Sequence, residues 1–122
     1  MTKWKDIEGF EGLYKVSNDG FVKRCRRRII GTDNYITATI LKPSIVSKGS
    51  QKGMFKVELR KDGKRYNGYI HLLVAKAFIP NPYNYLDIIH LNGCLIDNRV
   101  ENLAWIDRRY KIRKKLHNNA DY

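Results

Sequence analysis

The sequence predicts an α+β fold, with antiparallel β-hairpins at the N-terminus, a buried helix in the middle and a strand–strand–helix unit at the C-terminus. Turn-forming residues separate short stretches in which apolar and polar side chains alternate, which is the pattern of hairpins. One apolar segment with helical spacing, Ile70 to Phe78, stops just before Pro80. A chain of 122 residues favours a single domain, because that length can bury roughly two-thirds of its unfolded surface.

The N-terminal part is predicted to begin with a hairpin. Asn18-Asp19-Gly20 is a turn signal between two short strands, Leu13 to Ser17 and Phe21 to Cys25. The stretch Tyr35 to Leu41 is rich in β-branched residues and predicts another strand, whereas Ser44 to Gly53 is predicted to be a loop.

The clearest hairpin comes next, followed by the helix. Phe55, Val57 and Leu59 alternate with charged residues and form the predicted inward face, and Asp62-Gly63 turns the chain into a returning strand at Arg65 to Tyr69. The helix Ile70 to Phe78 is apolar on nearly all sides and should be buried. His71 at its start is therefore predicted to have a packing role.

The candidate site lies between Ile88 and Trp105. His90 follows a short strand, Leu86 to Ile89, and precedes a polar turn at Asn92 and Gly93. A second polar cluster, Asp97 to Asn102, leads into the next strand, Leu103 to Trp105. Asp107 then occupies a helix N-cap position, and Arg108 to His117 contains no Gly or Pro, which predicts a terminal helix.

The charge indicates a polyanionic partner. The chain has 24 Lys and Arg against 12 Asp and Glu, a net charge of +12. Nucleic acid is favoured over a membrane surface, because no strongly amphipathic helix with an exposed apolar face stands out. The candidate DNA contacts are Lys23, Arg24, Arg26, Arg27, Arg28, Arg99, Arg108, Arg109, Lys111, Arg113, Lys114 and Lys115. A solvated edge strand whose charges prevent aggregation is the alternative explanation for the run from 23 to 28.

The two cysteines, Cys25 and Cys94, are far apart and lack the paired spacing of a zinc finger, which fits a reducing cytoplasm. A charged N-terminus and the interruption of the longest apolar run by Lys76 also argue against a signal peptide and a membrane span.

Three blocks of the chain resemble a known family. His90, Gly93, Asn98, Glu101-Asn102-Leu103 and Trp105 resemble the HNH motif of phage and intron homing endonucleases. The segment Ile70 to Pro82 is similar to the helix before that motif, and Trp4 to Ile7 with Phe10 to Gly20 is similar to the nuclease-associated modular domain NUMOD4. The resemblance implies a NUMOD4-like β region at residues 1–50. It also implies a C-terminal ββα-metal unit, the HNH or His-Me finger, within residues 51–122, together with a phage or mobile-element origin.

The resemblance also implies roles for individual residues. His90 corresponds to the general base of DNA hydrolysis, and Asn102 to the asparagine that braces the loop around it. The family's metal-ligand positions fall on Ile89, which has no donor atom, and on Lys111, whose ammonium would repel a cation. Asn92, Asp97 and Asn98 are oxygen donors that could build a displaced Mg²⁺ site, although one carboxylate with two amides is a weak set of ligands.

The sequence is therefore compatible with two functions. One is a DNA-binding protein of the HNH homing endonuclease family whose hydrolysis is weak or lost and which acts as a regulator, inhibitor or accessory factor. The other is an active Mg²⁺-dependent endonuclease, a nickase if monomeric, that uses a displaced metal site. The expected partner is double-stranded DNA, with a phage or host protein as a further class, and the expected location is the cytoplasm of a bacterial or phage-infected cell.

Overall fold

The computed structural model of the protein describes residues 1–109, and residues 110–122 lie outside that range. The described chain contains eleven short strands and one α-helix, which confirms the α+β class. The elements, in chain order, are β1 (Trp4–Asp6), β2 (Tyr14–Ser17), β3 (Val22–Arg24), β4 (Arg27–Arg28), β5 (Tyr35–Ile36), β6 (Thr39–Ile40), β7 (Ser44–Ile45), β8 (Phe55–Lys61), β9 (Lys64–Tyr69), α1 (Ile70–Phe78), β10 (Asp87–His90), a 3₁₀ turn (Val100–Asn102) and β11 (Leu103–Ile106).

The N-terminal sheet is antiparallel in the order β1-β2-β3-β6. The predicted hairpin is confirmed as β2 and β3, with Val16 opposite Val22. Ser17 is fully buried, and its hydroxyl accepts the backbone N–H groups of Asp19 at 3.2 Å and Phe21 at 3.0 Å. These bonds replace ladder pairing within the turn and hold it in one shape.

The prediction of one strand over Tyr35 to Leu41 is wrong, because the pairing breaks at Thr37 and Ala38. β6 pairs with β3, placing Ile40 opposite Lys23, whereas β5 pairs with β4, placing Tyr35 opposite Arg28. The register is the same on both sides of the break. The run of cations from 23 to 28 is likewise divided between β3 and β4. Residues 23–40 thus form a long two-stranded hairpin with an interruption halfway, called here the basic ribbon.

The predicted central hairpin is confirmed as β8 and β9, which are joined at Asp62-Gly63. Val57 and Leu59 are buried, as predicted for its inward face. The loop predicted for Ser44 to Gly53 is wrong at its start, because Ser44 and Ile45 form β7. Backbone pairing of β7 with Phe55 and Lys56 extends the hairpin to three strands.

Helix α1 coincides with the predicted segment and lies at the centre of the described fold. It contacts β2, β8, β9, β10 and β11, so the N-terminal sheet, the central hairpin and the C-terminal strand pair all pack against it. Val74 and Ala75 are completely buried, and burying a valine side chain contributes about 1.5–3 kcal/mol. The core around the helix is formed by Ile7, Tyr14, Val16, Val22, Val57, Leu59, Ile70, Val74, Ala75, Ile88 and Leu103.

The predicted C-terminal strand pair is present as β10 and β11, with Asp87 opposite Ile106 and His90 opposite Leu103. The 3₁₀ turn between the two strands was not predicted. Arg108 and Arg109 have helical backbone, and Oδ1 of Asp107 accepts the Arg109 N–H at 2.8 Å, as an N-cap does. The rest of the predicted terminal helix lies outside the described residues. No helix within residues 1–109 is long and apolar enough to cross a membrane.

Candidate functional site

His90 is the last residue of β10, and its side chain is 9% exposed. Successive side chains of a strand point to opposite faces, so Ile88 and His90 face the core while Asp87 and Ile89 face the other way. The imidazole of His90 therefore lies on the buried face of the two-stranded sheet, at the end of β10 where the polar loop begins.

A short buried hydrogen bond fixes this imidazole. Its Nε2 lies 2.8 Å from Oδ1 of Asn98, a residue that is 4% exposed. An amide oxygen only accepts hydrogen bonds, so Nε2 must carry the ring proton in the neutral form. The lone pair then belongs to Nδ1, which is the nitrogen able to take a proton from water.

His71, at the start of α1, packs beside this histidine. Its side chain is buried, as predicted for a packing residue, and the two imidazole rings lie 5.5 Å apart with their planes at 53°. The segment that contains His71 resembles the helix before the HNH motif, but the sequence did not indicate that His71, nineteen positions upstream, would lie beside His90.

Asn102 ties together the polar loop that follows His90. Its side chain is 5% exposed and donates to the carbonyl oxygen of Asp97 at 2.8 Å and to Oδ1 of Asn92 at 2.9 Å. It also accepts the backbone N–H of Asn92 at 3.0 Å. These bonds cross the loop from one side to the other, so a single side chain satisfies several groups that the loop would otherwise leave unpaired.

Asp97 is an acidic residue of this loop, and its carboxylate pairs with Arg99. The guanidinium donates from Nε to Oδ1 and from Nη2 to Oδ2, both at 2.8 Å, and Nδ2 of Asn92 also donates to Oδ2 at 2.8 Å. Hydrogen bonding by Arg99 is the main reason that the pKa of Asp97 lies far below its ordinary value, and the same pairing raises the pKa of Arg99.

The donor set in the described part of the chain does not suit Mg²⁺. Magnesium requires hard oxygen ligands in octahedral geometry, but the oxygen of Asn98 is bonded to His90 and both oxygens of Asp97 are bonded to Arg99. Ile89 offers no donor, and within residues 1–109 no three His, Cys, Asp or Glu side chains form a group able to hold a metal. Lys111, the other position that the family resemblance assigns to a metal ligand, lies outside the described residues.

The basic ribbon carries a cluster of cations, two of which lie over aromatic rings. Lys23 lies over the ring of Trp4 at 4.3 Å, and the Arg26 guanidinium lies over the ring of Tyr35 at 4.4 Å. Arg28 differs, because it pairs with Asp33 at 3.1 Å. Among residues 1–109, Lys23, Arg24, Arg26 and Arg27 take part in no ion pair with a carboxylate.

The other predicted DNA contacts are placed differently. Arg99 belongs to the loop beside His90, Arg108 pairs with Asp87 at 3.2 Å, and Arg109 pairs with Asp107 at 3.2 Å. Lys111, Arg113, Lys114 and Lys115 lie outside the described residues. The predicted site residues therefore lie in two separate regions, His90 with its polar loop and the basic ribbon. The β2–β3 hairpin connects them, because β3 belongs to the ribbon and the turn lies against the polar loop.

One family model matches the chain, and the family is described as the NUMOD4 motif. The match covers residues 3–71, which is more than half of the 122 residues. It includes the N-terminal sheet, the basic ribbon and the start of α1.

Two relatives and one solved structure extend the similarity to the C-terminal part. An uncharacterized HNH endonuclease of Acanthamoeba polyphaga mimivirus is 38% identical over 121 residues, covering 95% of this chain and 26% of the relative. The DNA endonuclease I-HmuI of Bacillus phage SP01 is 29% identical over 114 residues, covering 93% of this chain and 58% of the relative. A structure described as DNA binding and cleavage by the HNH homing endonuclease I-HmuI superposes with a TM-score of 0.73 at 29% identity, covering 96% of this chain and 59% of that chain. The chain thus spans from about a quarter to three-fifths of the length of these relatives.

Proposed function

Because the chain belongs to the NUMOD4 family and is of the HNH homing endonuclease type, we propose that it binds double-stranded DNA and that its phosphodiester hydrolysis is weak or lost. In this proposal β10, β11 and the terminal helix that the sequence predicts after Asp107 form the ββα unit around His90. The segment of residues 1–50 supplies much of the surface that contacts DNA.

The observation that carries the DNA-binding proposal is the free charge on the basic ribbon. Cations without a carboxylate partner can neutralise phosphates and release the counterions condensed on DNA, which is the main source of affinity in such complexes. A two-stranded ribbon is also one of the two protein elements that fit the major groove of B-form DNA. Lys23, Arg24, Arg26 and Arg27 lie on such a ribbon, and none of them forms an ion pair with a carboxylate among residues 1–109.

The proposal of weak hydrolysis rests on the polar loop. Hydrolysis of a phosphodiester by this class of enzyme uses a divalent ion to stabilise charge on the phosphate and the leaving oxygen. Arg99 already compensates the carboxylate of Asp97, and Ile89 and Lys111 offer no ligand. A chain of this kind would keep its fit to DNA and act as a regulator, an inhibitor or an accessory factor, alone or with a phage or host protein.

The geometry of His90 favours a second candidate, an active Mg²⁺-dependent endonuclease or nickase. Asn98 directs the ring proton to Nε2, which leaves Nδ1 as a base for the attacking water. For this candidate, the oxygens of Asn92, Asp97 and Asn98 would have to exchange their present hydrogen bonds for a displaced metal site.

Binding to duplex DNA measured over a range of salt concentrations tests the main proposal. Fluorescence anisotropy with a labelled duplex should show affinity falling steeply with salt, with a logarithmic slope of about −5 if roughly six phosphates are neutralised. Binding that is absent at low salt, or that does not respond to salt, would overturn it.

A further inference from the structure

The turn of the N-terminal hairpin lies against the polar loop of the histidine site. Gly20 has a φ of +90°, and a Cβ placed on it would lie 3.1 Å from both Cβ and the carbonyl oxygen of Asn98. Any side chain at this position would therefore press on the backbone of the residue that holds His90. Glycine is required here by the close approach as well as by the backbone conformation.

A second contact holds the same two segments together. The backbone N–H of Val100 donates to the carbonyl oxygen of Asn18 at 2.9 Å. Asn18 and Gly20 thus contact Val100 and Asn98, two residues apart on each segment. The turn itself is held firmly by the hydroxyl of the buried Ser17, so it can act as a stable support for the loop.

We propose that this turn is a positioning element for His90 and that it acts through Asn98. The Asn98 side chain reaches Nε2 of His90 only while its own backbone stays in place, and Gly20 and Asn18 supply that constraint from a segment nearly eighty residues away in sequence. The N-terminal module would then do more than carry cations to DNA, because it would set which nitrogen of His90 bears the proton. The functional meaning of this inference rests on the proposed role of His90 as a retained base.

Two glycine substitutions distinguish the effect of the turn on the position of Asn98 from the effect of an unfavourable φ alone. Gly20→Ala introduces a methyl group against Asn98, whereas Gly12→Ala introduces one at a similar φ of +78° with no atom within 4 Å. Both should lower the melting temperature through the unfavourable φ. The readout is the His90 Nε2–H resonance in ¹⁵N-edited NMR spectra, assigned by its loss in His90→Ala.

We expect the His90 Nε2–H proton to exchange with solvent about tenfold faster or more in Gly20→Ala, because its bond to Asn98 opens more often. In Gly12→Ala its exchange should match the wild type. Unchanged exchange in Gly20→Ala, or equal acceleration in both variants, would overturn the proposal.

A second pair of variants keeps the proposal open to disproof if Gly20→Ala does not fold. Val100→Pro removes the N–H that bonds to Asn18 at the first position of the 3₁₀ turn, where proline is tolerated, and Arg99 before it is already extended at ψ 142°. Val100→Ala shortens the side chain but keeps the N–H. Faster exchange of the His90 Nε2–H in the proline variant alone supports the proposal, and the same exchange in both variants contradicts it.

DNA binding by the same samples distinguishes this inference from the proposed function. The NMR signal reports on the free protein and does not depend on DNA or on hydrolysis. If the wild type fails to bind DNA while Gly20→Ala alone accelerates exchange, then the proposed function is wrong and the positioning contact stands. If binding is salt-dependent and exchange is the same in all variants, then the positioning inference is wrong and the proposed function stands.

Discussion

The guanidinium of Arg99 binds both carboxylate oxygens of Asp97, through Nε and Nη2, at 2.8 Å each. The fork of an arginine matches a carboxylate in this way, so charge and geometry are satisfied together. The pair closes the polar loop after His90 and occupies the carboxylate that a displaced cation would need. The proposed loss of hydrolysis depends on this relationship as much as on Ile89 and Lys111, the positions that the family resemblance assigns to metal ligands.

The Arg99–Asp97 pair should make stability depend on pH. The pKa of Asp97 in the folded protein lies below its unfolded value of about 3.9, so the unfolded chain takes up the proton first. The stability that the pair contributes is fully present above the unfolded-state pKa of about 3.9. It is lost as the pH falls from there through the lower pKa of the folded state. Urea denaturation between neutral pH and pH 3 should show a smaller loss on acidification for Arg99→Ala than for the wild type.

A matched control for this experiment is Arg65→Ala, which removes an arginine from an exposed pair with Glu58 at 3.7 Å. This variant should keep the acid sensitivity of the wild type. Identical acid dependence in Arg99→Ala and the wild type would show that the pair contributes nothing to stability.

Asn102 should matter more for stability than any exposed asparagine. Asn102→Ala removes the hydrogen bonds to the Asp97 carbonyl and the Asn92 N–H, and two bonds at a net of about 0.5–1.5 kcal/mol each amount to about 1–3 kcal/mol. Chemical denaturation should show a loss in that range, while Asn67→Ala, on an exposed position of β9, should change the free energy of unfolding by less than about 0.5 kcal/mol. If the two substitutions change the free energy of unfolding equally, then Asn102 does not brace the loop.

Reversing charge on the basic ribbon should weaken DNA binding. Arg26→Glu with Arg27→Glu removes two cations that have no carboxylate partner in residues 1–109, so the logarithmic salt slope should become less steep by about 2. Lys48→Glu with Lys52→Glu, two exposed lysines of the loop between β7 and β8, makes the same change in net charge and serves as the control. If both double variants bind equally well, then the ribbon is not the contact surface and only net charge matters.

Restoring ligands should restore metal-dependent chemistry. Ile89→Asp with Lys111→Asn places oxygen donors at the two positions that the family resemblance identifies, and nicking of DNA should then appear or increase with Mg²⁺. The same double variant carrying His90→Ala should lose that gain, since the base is absent. A double variant that binds DNA without any Mg²⁺-dependent cleavage would mean that more than the ligands has been lost.

The parts of the fold that follow from local sequence were predictable. The bounds of α1 follow from its spacing and from Pro80, and the turns at Asn18–Gly20 and Asp62–Gly63 follow from residues that tolerate a left-handed backbone. The break in the ribbon was not predictable, because Thr37 and Ala38 are ordinary strand residues and the interruption depends on the partner strand.

In the candidate site, the identities of the residues were predictable from the sequence, but their contacts were not. The sequence indicated His90, Asn98 and Asn102 through the motif that they resemble, but not which atoms they contact. The sequence allows Asn98 to be a metal ligand, whereas in the structure its oxygen is bonded to His90. Its contact with Gly20 joins residues 78 positions apart, and such a contact depends on how the hairpin and the loop pack around α1, which no local pattern encodes.

A nicking assay on supercoiled plasmid with Mg²⁺ would separate DNA binding from hydrolysis, using the wild type and His90→Ala alongside duplex-binding titrations of the same preparations. We expect salt-sensitive binding by both proteins, because His90 is 9% exposed and offers little contact surface, and negligible nicking by either. Efficient Mg²⁺-dependent nicking by the wild type that disappears in His90→Ala would contradict this expectation. The protein would then be an active nuclease with a displaced metal site.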